Sequence, residues 1–191
     1  MAEFYSIEPC KYNPFYAELD YRTIPYSFER ACYSSFFQHI DPYTTLKLGV
    51  TPESPEKYSD FMYMKGIPLV SDYIRNLFYD SGIDNLLYKQ IILEHPVSLN
   101  CHECWLALPP LIDCLDYEKS VFMPYDSDMV ESIVIDRRKT GRYDIFKIAD
   151  STGRTASTDT IVMTEKQYRY IKETSERDGK VLKGIYINEL Y

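Results

Sequence analysis

Short apolar runs, each interrupted by proline, glycine or polar turn residues, are the feature of this chain that most restricts its fold. The 191 residues include 11 prolines, and no apolar run approaches the ~20 residues that a membrane-spanning helix needs. The runs do not alternate with helices as βαβ units do, so the sequence predicts an α+β fold of short antiparallel strands, hairpins and a few helices. The expected strands lie at residues 3–8, 86–93, 104–108, 131–136, 143–148, 160–163 and 181–187.

Three helices are expected from apolar residues at helical spacing. Residues 27–40 place four apolar side chains on one face. A second helix follows Ser71, which is a suitable N-cap. A third begins at Thr164, where Gln167 three residues later completes a capping-box pattern.

Connections between these elements suggest how the chain is divided. Residues 49–60 hold two prolines and many polar groups, which predicts an exposed loop. We expect residues 1–60 to form an N-terminal arm or subdomain and residues 61–191 an α+β core, within one compact domain overall. Runs 131–136 and 143–148 are expected to pair as a hairpin, and no internal repeat is visible.

The acidic composition limits the classes of partner. A net charge of −8 repels phosphate, so we expect no nucleic-acid binding, and an acidic surface attracts a basic protein instead. The start of the chain lacks the pattern of a secretory signal, which predicts a cytoplasmic protein with reduced thiols and no membrane association. The 7 glycines form no phosphate-binding motif, so no cofactor is expected.

The segment Cys101-His102-Glu103-Cys104 is the most conspicuous string that suggests a metal. Two cysteines separated by two residues can grip zinc, but a structural site needs four ligands and the chain has no second pair of this kind. We therefore expect two unpaired cysteines in a loop leading into a strand, with a zinc site at Cys101 and Cys104, or a redox pair, as alternatives.

Two groups of acidic residues are candidates for contact with a basic partner, each with a tyrosine that could anchor it. Acids at the end of the third predicted helix oppose the helix dipole, so their presence there needs another reason. A solvated face is the alternative interpretation for both groups. The first group is Tyr125, Asp126, Asp128 and Glu131, and the second is Tyr170, Glu173, Glu176 and Asp178.

Five strings in the last two-thirds of the chain, roughly residues 61–191, occur in an order that resembles a known family. They lie at residues 66–69 with 81–84, 111–120, 133–136 with 144–148, 161–164, and 183–187. In this order they resemble the immunity proteins of bacterial polymorphic toxin systems, specifically the eleventh numbered immunity group, formerly a domain of unknown function. Residues 1–60 and the segment around Cys101 do not fit the resemblance.

The resemblance implies a small cytoplasmic antidote without catalytic activity. Such a protein binds and neutralises a cognate toxin used in bacterial competition, and HNH-type nucleases are frequent partners of this group. An acidic inhibitor suits a nuclease, which must be basic to hold phosphate. The alternatives are a metal-dependent hydrolase using Asp126 and Asp128, a thiol enzyme, or a general protein-binding adaptor.

Overall fold

Two five-stranded sheets and two helices form the framework of the described part of the chain. The computed structural model describes residues 3–10, 14–26, 28, 40–64, 67–123, 126–149, 156–183 and 185–190, with the backbone alone at 64, 67, 123, 126–129 and 156–159. This is an α+β fold made mostly of short strands, as the sequence predicts. Neither helix of the described part of the chain has the length and apolar character needed to cross a membrane.

The bounds of the elements follow in chain order. The helices are α1 (Asp72–Asp80) and α2 (Glu165–Arg177). The strands are β1 (Phe4–Pro9), β2 (Leu46–Gly49), β3 (Phe61–Met64), β4 (Ile67–Val70), β5 (Leu87–Glu94), β6 (Cys101–Leu108), β7 (Leu111–Ile112), β8 (Val121–Met123), β9 (Asp126–Ser132), β10 (Ile145–Ala149), β11 (Ala156–Thr164) and β12 (Ile185–Leu190).

The strands divide into two sheets and a small ribbon. The N-sheet has the order β2-β5-β6-β4-β3, and the C-sheet has the order β12-β1-β11-β10-β7. Only the pairs β2–β5 and β7–β10 are parallel among the described strands. Strands β8 and β9 form a separate two-stranded ribbon. The first 60 residues therefore contribute β1 to the C-sheet and β2 to the N-sheet.

The two sheets are built alike, and each contains one strand from the opposite half of the chain. In the N-sheet, β3, β4, α1 and β5 follow one another in sequence, and β6 inserts between β5 and β4. In the C-sheet, β10, β11, α2 and β12 follow one another, and β1 inserts between β12 and β11. The chain thus folds as two structural repeats that exchange their first strands, although no repeat is expected from the sequence.

Hydrogen bonds at equivalent positions support this repeat. The backbone N–H of Ser71, at the start of α1, donates to the carbonyl of Asp60 at 2.9 Å. The N–H of Thr164, at the start of α2, donates to the carbonyl of Asp144 at 3.0 Å. In both repeats the hydroxyl of the same residue also donates to the carboxylate of that aspartate, at 2.8 and 3.0 Å. Each aspartate therefore ties the start of a helix to the start of the first strand in its hairpin.

The helices also contact the exchanged strands in the same way. The guanidinium of Arg75 on α1 lies 4.0 Å from the ring centre of Trp105 on β6. On α2, Tyr168 stacks on Tyr5 of β1 with 4.1 Å between the ring centres. The indole N–H of Trp105 donates to Asp72, which fixes the ring beneath the first turn of α1. Each exchanged strand is thus held by its sheet neighbours and by a stacked side chain from a helix.

Residues outside the strands that correspond in the two repeats also show the same repeat. The triplet Leu-Asp-Tyr occurs at 19–21 and again at 115–117. Leu19 forms a bridge with Val50, and Leu115 forms the corresponding bridge with Ile135. Both triplets belong to the segments that cover the outer faces of the sheets.

Alternation along the strands creates three apolar clusters. Along β11, Ile161 and Met163 face the helices, whereas Val162 faces the opposite side of the C-sheet. The central cluster combines the inner faces of both sheets with α1 and α2. Segments 17–26 and 40–50 cover the outer face of the N-sheet, and residues around Leu115 cover that of the C-sheet. The sheets are therefore buried on both faces, which explains their continuous apolar runs.

Most elements with a strong local signal are confirmed. Strands overlap all seven predicted runs, but at 131–136 only Glu131 and Ser132 lie in a strand, and residues 143–144 and 181–183 also lie outside the strands. Ser71 caps α1, since its hydroxyl accepts from the N–H of Ile74. Apart from Gly49, which ends β2, and the bridge of Val50 to Leu19, the segment 49–60 contains no strand or helix, but Ser54 and Ser59 are buried in it, so it is not exposed throughout. The predicted helix at 27–40 lies almost entirely outside the described residues.

The predicted hairpin between residues 131–136 and 143–148 is wrong. Strand β9 pairs with β8, whereas β10 pairs with β11 and β7. The side chain of Asp136 accepts from the N–H and guanidinium of Arg138 and begins a 3-10 turn over Arg137–Lys139. All five residues of β10 are buried, so side chains on both faces of this strand must be covered by other elements. A two-stranded hairpin alone cannot supply that cover.

The capping box expected at Thr164 is also replaced by a different arrangement. The Thr164 hydroxyl makes no cap bond to its own helix and donates to Asp144 instead. The Gln167 amide is fully buried and donates to the same carboxylate at 3.4 Å, while Lys166 forms an ion pair with it at 3.0 Å. Burial raises the pKa of Asp144, but the bonds from Lys166, Thr164 and Gln167 outweigh it and hold the pKa below its usual value.

Asp144→Ala should lower the free energy of unfolding by about 1–3 kcal/mol, because the buried Thr164 hydroxyl and Gln167 amide lose their acceptor. The contribution of a carboxyl with a depressed pKa is present at neutral pH and is lost as the pH falls through the folded value. The difference between wild type and variant in urea unfolding should therefore shrink under acidic conditions. Asp84→Ala, at an exposed carboxylate, is the control and should change stability by less than about 0.5 kcal/mol.

Candidate partner-binding surface

The first predicted acidic group lies on the ribbon that covers the C-sheet. Asp126 and Asp128 belong to β9, and Glu131 near the end of the same strand is exposed. Tyr125 lies outside the described residues. The ribbon packs against the outer face of the C-sheet through Phe122 and Val130. This part of the chain therefore displays at least one carboxylate from a surface ribbon anchored to the core.

The second predicted group lies along α2 and at its end. Glu173 and Glu176 are exposed, and half-buried Tyr170 packs against the central cluster. Asp178 is already engaged, since its carboxylate accepts from the Tyr73 hydroxyl at 3.0 Å. Of the four residues, Tyr170 and Glu173 share a shallow surface depression of about 480 Å³ between α2 and Ser81 at the end of α1.

The two acidic groups do not form one surface. Helix α2 packs on the inner face of the C-sheet through Ile171, whereas the ribbon packs on its outer face through Val130. The sheet itself separates them. A single partner of ordinary size would contact one group directly, and the other would act on it only through the longer-range field.

Basic residues interrupt the acidic group on α2. Arg169 forms an ion pair with Glu165 at 2.7 Å, and Lys166 pairs with Asp144. Exposed pairs of this kind contribute at most about 1 kcal/mol to stability. Their main effect is electrostatic, because they partly neutralise the helix surface on which Glu173 and Glu176 lie.

The segment around Cys101 forms a strand, so the predicted loop is wrong. Cys101 begins β6 and is exposed, whereas Cys104 is buried. Residues three apart on a strand point to opposite faces, so these two sulfurs do not converge on one site. His102 packs against Tyr58 with 4.3 Å between the ring centres. Among the residues with described side chains, no three histidine, cysteine or acidic groups are placed together to hold a metal ion.

Burial makes two of the thiols poor nucleophiles. Burial, with a smaller effect from Asp72, raises the pKa of Cys104 to about 12. Burial, followed by the nearby charge of Asp113, raises the pKa of Cys114 to about 12 as well. The thiolate is the reactive form, so neither side chain has the depressed pKa of a catalytic cysteine at neutral pH.

Exposed tyrosines are the surface feature that the sequence prediction missed. Seven tyrosines of the described chain are at least 37% exposed, and Tyr43 reaches 93%. The sequence contains 19 tyrosines but gives no indication of which of them are exposed. Tyr21 and Tyr117, the last residues of the repeated Leu-Asp-Tyr triplets, are among them at 51% and 41%. The others are Tyr26, Tyr79, Tyr143 and Tyr186.

A buried lysine fixes the loop that carries Tyr43. The Asp41 carboxylate accepts from the N–H of Tyr43 at 2.9 Å and from the Thr44 hydroxyl at 2.8 Å, and these bonds lower its pKa. Lys89 on β5 is only 4% exposed and donates its ammonium group to the carbonyls of Asp41 and Thr44. The loop is therefore tied to the sheet at two points, which reduces the entropy lost when Tyr43 contacts a partner.

No protein-family model and no curated protein matches this chain. The resemblance of residues 61–191 to an immunity family therefore stays a prediction. The Asp-Pro-Tyr sequence at 41–43 is the one signal that could have pointed to the Tyr43 loop, because Asp-Pro typically begins a turn.

In the folded protein, a thiol alkylating reagent should modify Cys101 and leave Cys104 and Cys114 unmodified, since the last two are buried. Unfolding in urea should make all three reactive. Peptide mapping by mass spectrometry measures the modified fraction at each cysteine. Rapid modification of Cys104 in the folded state would contradict its position on the buried face of β6.

Proposed function

We propose that this protein is a cytoplasmic immunity protein that binds one cognate bacterial toxin tightly and neutralises it, with an HNH-type nuclease as the candidate toxin. The observation that carries the proposal is the set of seven exposed tyrosines on an acidic protein. Tyrosine is enriched among the residues that dominate binding energy at protein interfaces, because it combines a large apolar ring with a polar end.

Charge supports the same proposal. A nuclease carries basic residues that hold phosphate, and a net charge of −8 attracts such a surface. Attraction of this kind raises the association rate more than it raises the affinity of the final complex. The tyrosines would then supply most of the binding energy, and the carboxylates would guide the encounter.

The alternative of a thiol enzyme receives less support from the described cysteines. The buried thiols of Cys104 and Cys114 have raised pKa values, and the sulfurs of Cys101 and Cys104 lie on opposite faces of a strand. A general adaptor uses the same kind of surface as an immunity protein. The two differ in specificity, which a toxin-neutralisation experiment measures directly.

The proposal is tested by co-expressing this protein with the C-terminal domain of the protein that the gene immediately upstream encodes. We expect this domain alone to stop growth, and the wild-type protein to restore growth and co-purify with the domain as a complex. The control is co-expression with an unrelated toxin domain, which the protein should not neutralise. Toxicity without rescue and without a complex would contradict the proposed function.

Charge reversal separates the contributions of the two acidic groups. One variant carries Asp126→Lys, Asp128→Lys and Glu131→Lys; the other carries Glu173→Lys and Glu176→Lys and leaves Asp178 in its bond with Tyr73. Charge reversal of the group that faces the toxin should slow association with the toxin by about tenfold or more at low ionic strength, and by less at high salt.

The matched control is Glu53→Lys with Glu56→Lys, two exposed acids in the loop at 49–60. This control changes the net charge as much as the second variant does, so it isolates the effect of position. Association rates can be measured by stopped-flow fluorescence or biolayer interferometry. If both group variants bind and neutralise as well as the wild type, the acidic groups do not contribute to recognition.

A further inference from the structure

Strand β12 leaves one edge of the C-sheet open. It pairs with β1 on one side, and no described strand lies on its other side. Its six residues contain no proline, lysine or bulge, which are the features that commonly protect an edge strand from pairing with another chain. We propose that an extended, basic segment of the toxin pairs with this edge as an additional strand, an inference that rests on the proposed immunity function.

The direction of the backbone groups follows from one hydrogen bond beside β1. The carbonyl of Glu3 accepts from the N–H of Glu165 at 3.0 Å, on the β11 side of β1. Backbone groups alternate along a strand, so those of Phe4, Ser6 and Glu8 point towards β12. Their partners in β12 are Leu190, Asn188 and Tyr186.

The remaining residues of β12 direct their backbone N–H and C=O groups to the open edge. These residues are Ile185, Ile187 and Glu189. Three donors and three acceptors in regular order are therefore offered to an incoming strand, while the bonds to β1 stay intact. Main-chain bonds of this kind supply affinity when a peptide is added to a sheet.

The other sheet shows that this architecture accepts a strand on that side. Strand β5 occupies the place in the N-sheet that β12 occupies in the C-sheet. There β2 runs parallel to the second half of β5, from the pair Leu46–Ile91 to the pair Gly49–Glu94. The N–H of Val50 continues this pairing by donating to the carbonyl of Glu94 at 3.1 Å.

The other edges of the two five-stranded sheets are shorter. Strands β2 and β3 have four residues each and β7 has two, and β7 follows two prolines. Phe61 and Met62 of β3 are also buried. Strand β12 is therefore the longest edge of the two five-stranded sheets; β9 of the ribbon is one residue longer, but its pairing with β8 is irregular.

Side chains beside the edge favour a basic segment. Glu189 on β12 and Glu8 on β1 are both exposed, and they project to opposite faces of the C-sheet. Lysine or arginine at alternating positions of an added strand could approach either carboxylate. Tyr186 is 52% exposed and provides a ring on the same face as Glu8 for contact with the apolar part of such side chains.

Glu189→Pro tests the edge directly, because it removes an outward N–H and places the proline ring where the added strand would lie. The control is Glu189→Gln, which removes the same charge and keeps the N–H. Ile185→Pro is a second test at the first residue of the strand, where proline is tolerated. Thermal unfolding should place the melting temperature of Glu189→Pro within about 4 °C of the wild type, because the bonds to β1 remain.

The affinity of each variant is measured by calorimetry. Its binding partner is the C-terminal domain of the protein encoded by the gene immediately upstream, in a catalytically inactivated form. We expect the proline variants to bind at least about tenfold more weakly, and Glu189→Gln to lose less than about threefold. Equal affinity of wild type and folded Glu189→Pro would overturn the inference while leaving the immunity function intact. If wild type itself neither binds nor neutralises the domain, the proposed function fails and the inference fails with it.

Light scattering of the protein alone gives a further outcome. If the wild type is a dimer that Glu189→Pro converts to a monomer, a second copy of this chain covers the edge and the inference is wrong. A wild-type monomer that forms a one-to-one complex with the toxin domain supports it.

Discussion

Each sheet of this protein is completed by a strand from the other half of the chain, and the rest of the structure depends on that exchange. Strand β1 lies between β12 and β11, so its removal would leave unpaired backbone on both neighbours. Strand β6 has the same place in the N-sheet. A buried backbone group without a partner costs about 1–3 kcal/mol, so neither half of the chain can leave its partner without a large loss of stability.

The exchange also determines how far apart in sequence the contacting residues are. Phe4 pairs with Leu190, and Tyr5 pairs with Met163, so the C-sheet cannot close until nearly the whole chain is available. The entropy cost of closing such a loop rises only slowly with its length, but non-local pairing slows folding. The stacked pairs Arg75–Trp105 and Tyr168–Tyr5 stabilise the exchanged strands once they are in place.

Local signals in the sequence predicted the elements, and non-local contacts explain what the sequence did not predict. The N-cap at Ser71 is visible because its hydrogen bond closes within three residues. The partner strand of β10 cannot be predicted from the local sequence, because it depends on the burial of β10 on both faces and not on the turn at Asp136. The repeat is hidden for a similar reason, since it is preserved in the bonds of Asp60 and Asp144 more than in residue identity. The acidic candidates could be named from charge, but their separation by the C-sheet and the exposure of Tyr43 are properties of the folded chain.

The anchor beneath Tyr43 has a consequence for the conditions under which the protein can work. The ammonium group of Lys89 donates to the backbone carbonyls of Asp41 and Thr44 and to the Thr44 hydroxyl, which carry no formal charge and do not titrate. Because the group is buried, dissolved ions screen these contacts much less than they screen the exposed pair of Arg169 and Glu165. The position of the Tyr43 loop should therefore persist through changes in ionic strength that weaken the electrostatic attraction of a basic protein.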